Sequence, residues 1–306
     1  ASLNGSYSWL GPKHEVNATT GFYPYPYTGF PNNSPIGKRL QVLDTDLIIG
    51  GGRRYFVEGH YVANDDAAAG NDDNNASYRE VTVASGSKSL NVDFFVPTVR
   101  RATGIDAWAT IDNAVTLQTQ HDPEGGFWKV AHKVTDLGGG QWQYEYAVYN
   151  MNSDRSGQAV DVEIGQNANI SNVGFRDVDW HSGAPYDNTD WNSSVGANSV
   201  SWAGATFAQN QNANAIRWGT MYNFRFIADT APTSGDLTLS LFKPGTGSAL
   251  SFPVDVPAAG VVPCPWDLSG DGEVNAADLG ALLGSWNNPY TAQDLGALLG
   301  SWGPCP

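Results

Sequence analysis

The chain has 306 residues, of which 41% are apolar, 12% aromatic and only 15% charged, and it contains 35 glycines and 17 prolines. This composition is typical of a globular protein with many short strands joined by tight turns. The formal net charge of −15 argues against nucleic acid and anionic membranes as partners, because both repel an acidic surface. No stretch has the ~18 uninterrupted apolar residues that a membrane span needs.

The N-terminal part, residues 1–38, is rich in Gly, Pro, Tyr and Asn. Closely spaced prolines prevent helix formation and favour extended backbone. We therefore predict an extended N-terminal arm, of the kind that can add a strand to a neighbouring subunit.

Residues 39–250 predict a β-sandwich, of jelly-roll kind, because strand-like runs recur between turn residues with no convincing helical period. The clearest run is 141–150, in which Trp142, Tyr144 and Tyr146 alternate with polar or small residues, the period-two pattern of a half-buried strand. The other predicted strands cover residues 40–49, 54–62, 79–84, 90–96, 106–111, 116–120, 160–164, 200–202, 217–227 and 237–243.

A change of composition marks the C-terminal part of the chain. Residues 251–263 are rich in Pro, Ala, Gly and Val and predict a linker, which sets off residues 264–306 as a small helical module. Within this module, residues 294–302 repeat residues 278–286 letter for letter. Leucines at helical spacing and possible N-cap residues before each copy predict two short amphipathic helices.

The strongest motif lies at the start of this module. A calcium ion takes about six to eight oxygen ligands, and a calcium loop supplies them from alternate positions, one through a backbone carbonyl and the last through a carboxylate. The residues at these positions are Asp267, Ser269, Asp271, Glu273 (through its carbonyl), Asn275 and Asp278. A glycine follows Asp271, where such a loop turns sharply. The sequence predicts one calcium ion bound here.

This loop and the helix after it resemble a dockerin repeat, over about 40 residues from Cys264 to Pro306. The second repeat keeps its helix but lacks the ladder of ligands, so the resemblance implies one Ca²⁺ and not two. Ser269 stands where dockerins have Asn or Asp, which predicts reduced affinity. The resemblance also implies a cohesin-like protein as a partner.

The front domain resembles uncharacterised secreted bacterial proteins that end in a dockerin-like tail. The matching stretches are residues 146–155, 172–179 and 215–226. This resemblance implies no known activity.

The chain has two cysteines, Cys264 and Cys305, which bracket the C-terminal module. This placement predicts a disulfide, an oxidising compartment and hence a secreted or cell-surface protein. Such a disulfide would stabilise the small module by about 4 kcal/mol in the chain-entropy model. Two free thiols that bind a metal are the alternative, but no histidine is near them.

Possible N-glycosylation sites of the Asn-x-Ser/Thr type predict a glycoprotein in a host that attaches such sugars. They begin at Asn4, Asn17, Asn32, Asn75, Asn169 and Asn192.

The sequence contains none of the common catalytic or nucleotide-binding motifs, and we therefore predict that the protein is not an enzyme. The strongest alternative is a cluster formed by Asp177, Asp179, His181, Asp187 and Asp190. Carboxylates with an imidazole can bind a metal or hydrolyse a glycosidic bond. The same residue types are also common in loops that are rich in turns.

We accordingly expect a non-enzymatic extracellular structural protein that assembles with copies of itself into a fibre or a cell-surface layer. The alternative is a subunit of a polysaccharide-degrading system that docks to a cohesin or binds carbohydrate, since the 11 tryptophans and 13 tyrosines can stack on sugars. A glycoside hydrolase that uses the cluster at residues 177–190 is the third hypothesis.

Overall fold

The computed structural model describes residues 12–26, 42–84, 90–91, 96–180, 184–260 and 264–305. The helices are α1 (Asn64–Ala68), α2 (Gly104–Ile111), α3 (Ala276–Gly284) and α4 (Ala292–Gly300). The strands are β1 (Tyr55–His60), β2 (Ala76–Val83), β3 (Leu90–Asn91), β4 (Val99–Arg100), β5 (Thr116–His121), β6 (Phe127–Gly138), β7 (Gln141–Asn150), β8 (Gly157–Glu163), β9 (Ile170–Arg176), β10 (Asn192–Val195), β11 (Ser199–Ala203), β12 (Thr220–Ala228), β13 (Pro232–Leu241), β14 (Ala249–Pro257), β15 (Glu273–Val274) and β16 (Gly303–Pro304).

Two antiparallel five-stranded sheets form a β-sandwich, as predicted. The first sheet has the order β5-β6-β7-β12-β9 and the second the order β10-β11-β8-β13-β14. Consecutive hairpins join β5, β6 and β7 within the first sheet, whereas the chain crosses to the other sheet after β7, β8, β9, β11 and β12. The core between the sheets is therefore built from strands that lie far apart in the sequence.

Aromatic side chains fill the space between the two sheets. Tyr144, Tyr146, Trp202 and Phe226 are all buried there, and the rings of Tyr144 and Phe226 stack with their centroids 5.2 Å apart. The Tyr146 hydroxyl donates a hydrogen bond to the Asp255 carbonyl of the opposite sheet at 2.7 Å. Because this bond satisfies the only polar group of the side chain, a large aromatic ring is buried without an unpaired hydroxyl.

A smaller layer covers the outer face of the first sheet. Strand β2 pairs with β1, β3 and β4, and α2 lies against β1 and β6. Ile105 of α2 is buried in a second apolar cluster with Ala131 and Ala147 of the sheet, and Ala107 of the same helix is also buried. This face of the sandwich is thus covered by a helix, which the sequence did not predict.

Helix α2 corrects the predicted strand over residues 106–111. The Asp106 carboxylate accepts the backbone N–H of Thr103 at 2.6 Å, and the two residues form a capping box. Lys129 Nζ lies 2.7 Å from the same carboxylate, which fixes the start of the helix to β6. The Thr103-x-x-Asp106 pattern is the signal in the sequence that indicates the start of this helix.

Other local predictions also need correction. The described part of the run at 40–49 contains a turn at residues 44–46 and no strand. In the predicted strand over 90–96, only Leu90–Asn91 is a strand, and residues 92–95 lie outside the described residues. Strands β4, β6, β9, β10, β14, β15 and β16 were not predicted. The remaining predicted runs overlap observed strands.

Residues 12–26 pack against the protein's own sandwich. The Thr19 hydroxyl donates to the Asn152 carbonyl at 2.7 Å, and Trp218 Nε1 donates to the Val16 carbonyl at 3.1 Å. These contacts place this part of the predicted extended arm against the sandwich. The rest of the predicted arm, at 1–11 and 27–38, lies outside the described residues.

The predicted linker, residues 251–263, begins inside a strand. Ser251 to Pro257 belong to β14, which forms one edge of the second sheet. Pro253 is tolerated there because an edge strand can leave one side of its backbone unpaired. Residues 261–263 lie outside the described residues, and the C-terminal module follows from Cys264.

Candidate functional site

The loop before α3 is organised by the Asp267 carboxylate. Its Oδ1 accepts the backbone N–H of Gly270 at 2.7 Å and of Asp271 at 3.1 Å. Its Oδ2 accepts the backbone N–H of Gly272 at 2.9 Å. Both Gly270 and Gly272 have positive φ, a conformation that glycine adopts without strain. The loop therefore wraps around one carboxylate.

Asp278 closes the loop and begins α3. Its carboxylate accepts the backbone N–H of Asn275 and of Ser269, both at 2.7 Å, and the residue is fully buried. The hydrogen bond from Asn275 lowers the pKa of the Asp278 carboxyl, and the bond from Ser269 adds to this effect. Asp278 is thus held in the charged form that a cation requires.

The remaining predicted ligands lie along the same loop. Asp271 Oδ1 accepts the backbone N–H of Glu273 at 3.0 Å, and its Oδ2 accepts the side-chain amide of Asn275 at 3.0 Å. The Ser269 hydroxyl lies 3.3 Å from Asp267 Oδ1. These contacts bring the side chains predicted from spacing alone into one loop.

Asp267, Asp271 and Asp278 each offer a carboxylate oxygen, and these oxygens lie within 4.8 Å of one another. In the described part of the chain, no other group of three His, Cys, Asp or Glu residues is this close. Oxygen donors with a threefold negative charge suit a hard divalent cation. The three carboxylates could therefore hold such a cation, and calcium stays the prediction from the sequence, with Ser269, Asn275 and the Glu273 carbonyl in the same loop.

A disulfide and a pair of short strands close the module around this loop. A disulfide joins Cys264 and Cys305, as predicted. Strands β15 and β16 pair antiparallel, and the backbone N–H of Cys305 donates to the Gly272 carbonyl at 2.9 Å. The C-terminus is thus fastened to the loop itself. Val274, Leu282 and Leu298 form the buried centre of the module.

The two repeats bury and expose equivalent residues. Leu282 and its counterpart Leu298 are fully buried, whereas Leu283 and its counterpart Leu299 are both 51% exposed. Trp286 and its counterpart Trp302 are also exposed, at 38% and 50%. The module therefore presents the same apolar pair of Leu and Trp twice.

Among the described residues of the acidic cluster at 177–190, no three are close enough together to hold a metal ion. Asp177 accepts the side-chain amide of Asn214, and burial raises the pKa of its carboxyl. Asp187 accepts the side-chain amide of Asn210. These carboxylates hold two loops together, while His181 lies outside the described residues.

Four of the possible glycosylation sites can be placed. Asn169 and Asn192 are exposed, and Asn17 and Asn75 are half-buried. The side-chain amide of Asn169 donates to Asp229 at 2.6 Å, and that of Asn75 donates to Asp66. Asn192 is thus the most open acceptor among these four. Asn4 and Asn32 lie outside the described residues.

Sequence reasoning missed a cavity of about 450 Å³ between α2, β1 and the outer face of the first sheet. Residues from four separate stretches of the chain, 52–56, 104–111, 145–147 and 221–225, line it. The Thr103–Asp106 capping signal, which places α2 over the sheet, was the one local clue.

No protein-family model matches this chain, and no curated protein matches it. None of the helices in the described part of the chain is long and apolar enough to cross a membrane.

Proposed function

We propose that this chain is a non-enzymatic structural protein of the extracellular space or cell surface, which assembles with copies of itself into a fibre or surface layer. The C-terminal module makes the contact. The observation that carries this proposal is the repeated exposed pair, Leu283 with Trp286 and Leu299 with Trp302. Exposed apolar residues that recur at equivalent positions favour a docking surface.

Calcium is the ion that we assign to the loop. When bound, it would neutralise the repulsion among Asp267, Asp271 and Asp278 and so stabilise the first turn of α3. The backbone N–H groups of the loop hold these carboxylates close to one another. Because Leu283 lies in the last turn of α3 and Trp286 follows two residues after the helix ends, an ordered loop at the start of α3 also orders these contact residues.

Self-association is favoured by the presence of two equivalent contact elements in one module. A protein that is to grow into a fibre or layer needs at least two contacts per copy, and a head-to-tail contact that does not close produces a filament. The dockerin-like resemblance of the module supports a role in protein attachment. The donation of an N-terminal strand to a neighbour stays a prediction for residues 1–11 and 27–38.

The alternative, a subunit that docks to a cohesin-like protein, is favoured by one observation. The net charge of −15 makes copies of the chain repel one another at low ionic strength. A basic or neutral partner protein would not be repelled by this negative charge. The same four apolar residues would then contact a partner of different sequence.

Extracellular location and the absence of catalysis belong to the same proposal. The disulfide between Cys264 and Cys305 favours an oxidising compartment. The acids of the 177–190 cluster have structural partners, Asn210 and Asn214, which favours a structural role for that cluster.

Sedimentation velocity of the full chain in calcium tests this proposal. We expect the wild type to form large species and the double variant Leu283→Ser/Leu299→Ser to remain a monomer. The matched control is Leu137→Ser, since Leu137 is a similarly exposed leucine of the sandwich and its replacement should leave association intact. Association that survives in the double variant would disprove a contact through the module. A monomeric wild type that binds a cohesin-like protein would favour the alternative.

A further inference from the structure

The cavity under α2 has the size and form of a site for a small ligand. Its volume of about 450 Å³ lies within the usual range of ligand pockets. It is formed on the outer face of the first sheet and belongs to the sandwich, not to the C-terminal module. A role for this cavity is therefore independent of the proposed assembly.

Aromatic side chains that are held in place by their neighbours form part of its walls. Trp108 of α2 and Phe56 of β1 line the cavity. Helix α2 is fixed at its start, since the backbone N–H of Gly104 donates to the Glu58 carboxylate at 2.5 Å. Phe56 packs edge-on against Tyr78, with the ring centroids 5.8 Å apart. Two aromatic side chains are thus placed beside the cavity before any ligand arrives.

The sheet side of the cavity carries three polar side chains, Glu145, Asn223 and Arg225. Glu145 pairs in register with Arg225 on one side and with Lys133 on the other. Lys133 is occupied by Asp112, with Nζ and carboxylate 2.6 Å apart. Among the described residues, no hydrogen bond or ion pair is made by the side chains of Glu145, Asn223 or Arg225. Their hydrogen-bonding capacity is therefore available to a ligand.

The Arg225 side chain lies close to the neighbouring strand at a position occupied by glycine. Gly174 of β9 pairs in register with Arg225. A Cβ atom at position 174 would lie 2.7 Å from Arg225 Nε. A larger residue at this position would displace the guanidinium. Gly174 thus leaves room for the Arg225 side chain, which also lines the cavity.

We propose that this cavity binds a neutral saccharide. The Glu145 carboxylate and the Arg225 guanidinium balance each other's charge, and the other charged group of the lining, Arg54, is paired with Glu80. The lining therefore selects for neither a cation nor an anion. The carboxylate accepts hydrogen bonds, the guanidinium donates them, and the amide of Asn223 does both. Adjacent hydroxyl groups of a sugar ring both donate and accept, and the apolar C–H face of the ring suits Trp108 and Phe56.

The test is a titration of the full-length protein with soluble neutral oligosaccharides, namely the hexasaccharides of β-1,4-glucose, β-1,4-xylose and β-1,4-mannose. Calorimetry and saturation-transfer NMR would measure binding. We expect at least one to bind, and we expect Glu145→Gln and Asn223→Ala each to weaken its binding by about tenfold, the loss of one hydrogen bond to a charged or amide group.

The matched control is Gln143→Ala, which removes a polar side chain from the same strand, β7, outside the cavity lining. Its binding should equal that of the wild type, and so should that of Leu283→Ser/Leu299→Ser. The absence of binding by all three oligosaccharides would overturn the proposal. Binding that is unchanged in both cavity variants, or binding of anionic oligosaccharides alone, would overturn it as well.

Discussion

The backbone N–H of Ser269 donates a hydrogen bond to the Asp278 carboxylate at 2.7 Å, which joins the turn of the acidic loop to the first turn of α3. The repeat offers an internal comparison. Asp294 caps α4 in the same way, accepting the backbone N–H of Thr291 at 2.8 Å. No ligand loop precedes Asp294, which therefore caps its helix without a contact of the kind that Ser269 makes with Asp278.

We predict that Asp278→Asn abolishes stabilisation of the module by calcium, whereas Asp294→Asn leaves it intact. Each variant weakens a helix cap, at a cost of about 1 kcal/mol. Only the first removes a ligand, and an ion at 100 times its dissociation constant adds about 2.7 kcal/mol of stability. Thermal unfolding with calcium and with excess chelator measures the difference. Equal responses of the two variants would rule out the assigned site.

Loss of the disulfide is expected to destabilise the module without affecting the sandwich. Cys264 and Cys305 are separated by 41 positions, and a cross-link closing a loop of this length contributes about 4 kcal/mol in the chain-entropy model. Hydrogen exchange of Cys264→Ser/Cys305→Ser should show faster exchange in α3 and α4 and unchanged exchange in β7. Protection of α3 equal to that of the wild type would contradict this.

The packing of residues 12–26 depends on Gly21. Its φ is +70°, and a Cβ atom there would lie 2.3 Å from the Ala63 carbonyl oxygen. Gly70 has a similar φ of +68° but no atom within 4 Å of such a Cβ. Both Gly→Ala changes incur backbone strain of about 1 kcal/mol, but only Gly21→Ala adds a collision with backbone.

Urea unfolding should therefore show a larger loss of stability for Gly21→Ala than for Gly70→Ala. Limited proteolysis should cleave near residues 12–26 in the first variant only. If the two variants are equally stable, this segment does not contribute to the fold as described.

The stability of the sandwich should fall between pH 6.5 and 4. Burial, followed by the charge of Lys13, lowers the pKa of His60 to about 4, and burial lowers the pKa of His132. The unfolded chain binds protons at these histidines in this range and the folded chain does not, so acid favours unfolding, by about 1.4 kcal/mol per pKa unit.

Urea unfolding at a series of pH values measures this slope. His60→Gln should flatten it, because the buried imidazole that the folded chain keeps neutral is then gone. A slope that is identical in His60→Gln and the wild type would show that His60 is not the source.

Strong local patterns predicted the parts of the fold that depend on them. The alternation around Tyr144 and Tyr146 was enough to predict β7 and its buried face. The spacing of Asp267, Asp271 and Asp278 was enough to predict that their carboxylates share one loop. In both cases a short segment contains the whole signal.

The parts that escaped prediction depend on distant contacts. Helix α2 is short, and its stability comes from Lys129 and Glu58, which lie on other elements. Without α2 in place, the cavity beside Glu145 and Asn223 has no outer wall. Nothing in the local sequence around either residue indicates that a cavity lies above it.

Electron microscopy combined with light scattering on the purified full-length protein, first in calcium and then in excess chelator, tests the central claim most directly. Self-assembly through a calcium-held module predicts regular filaments or sheets from this chain alone in calcium, and their loss in chelator. A stable monomer under both conditions would contradict it.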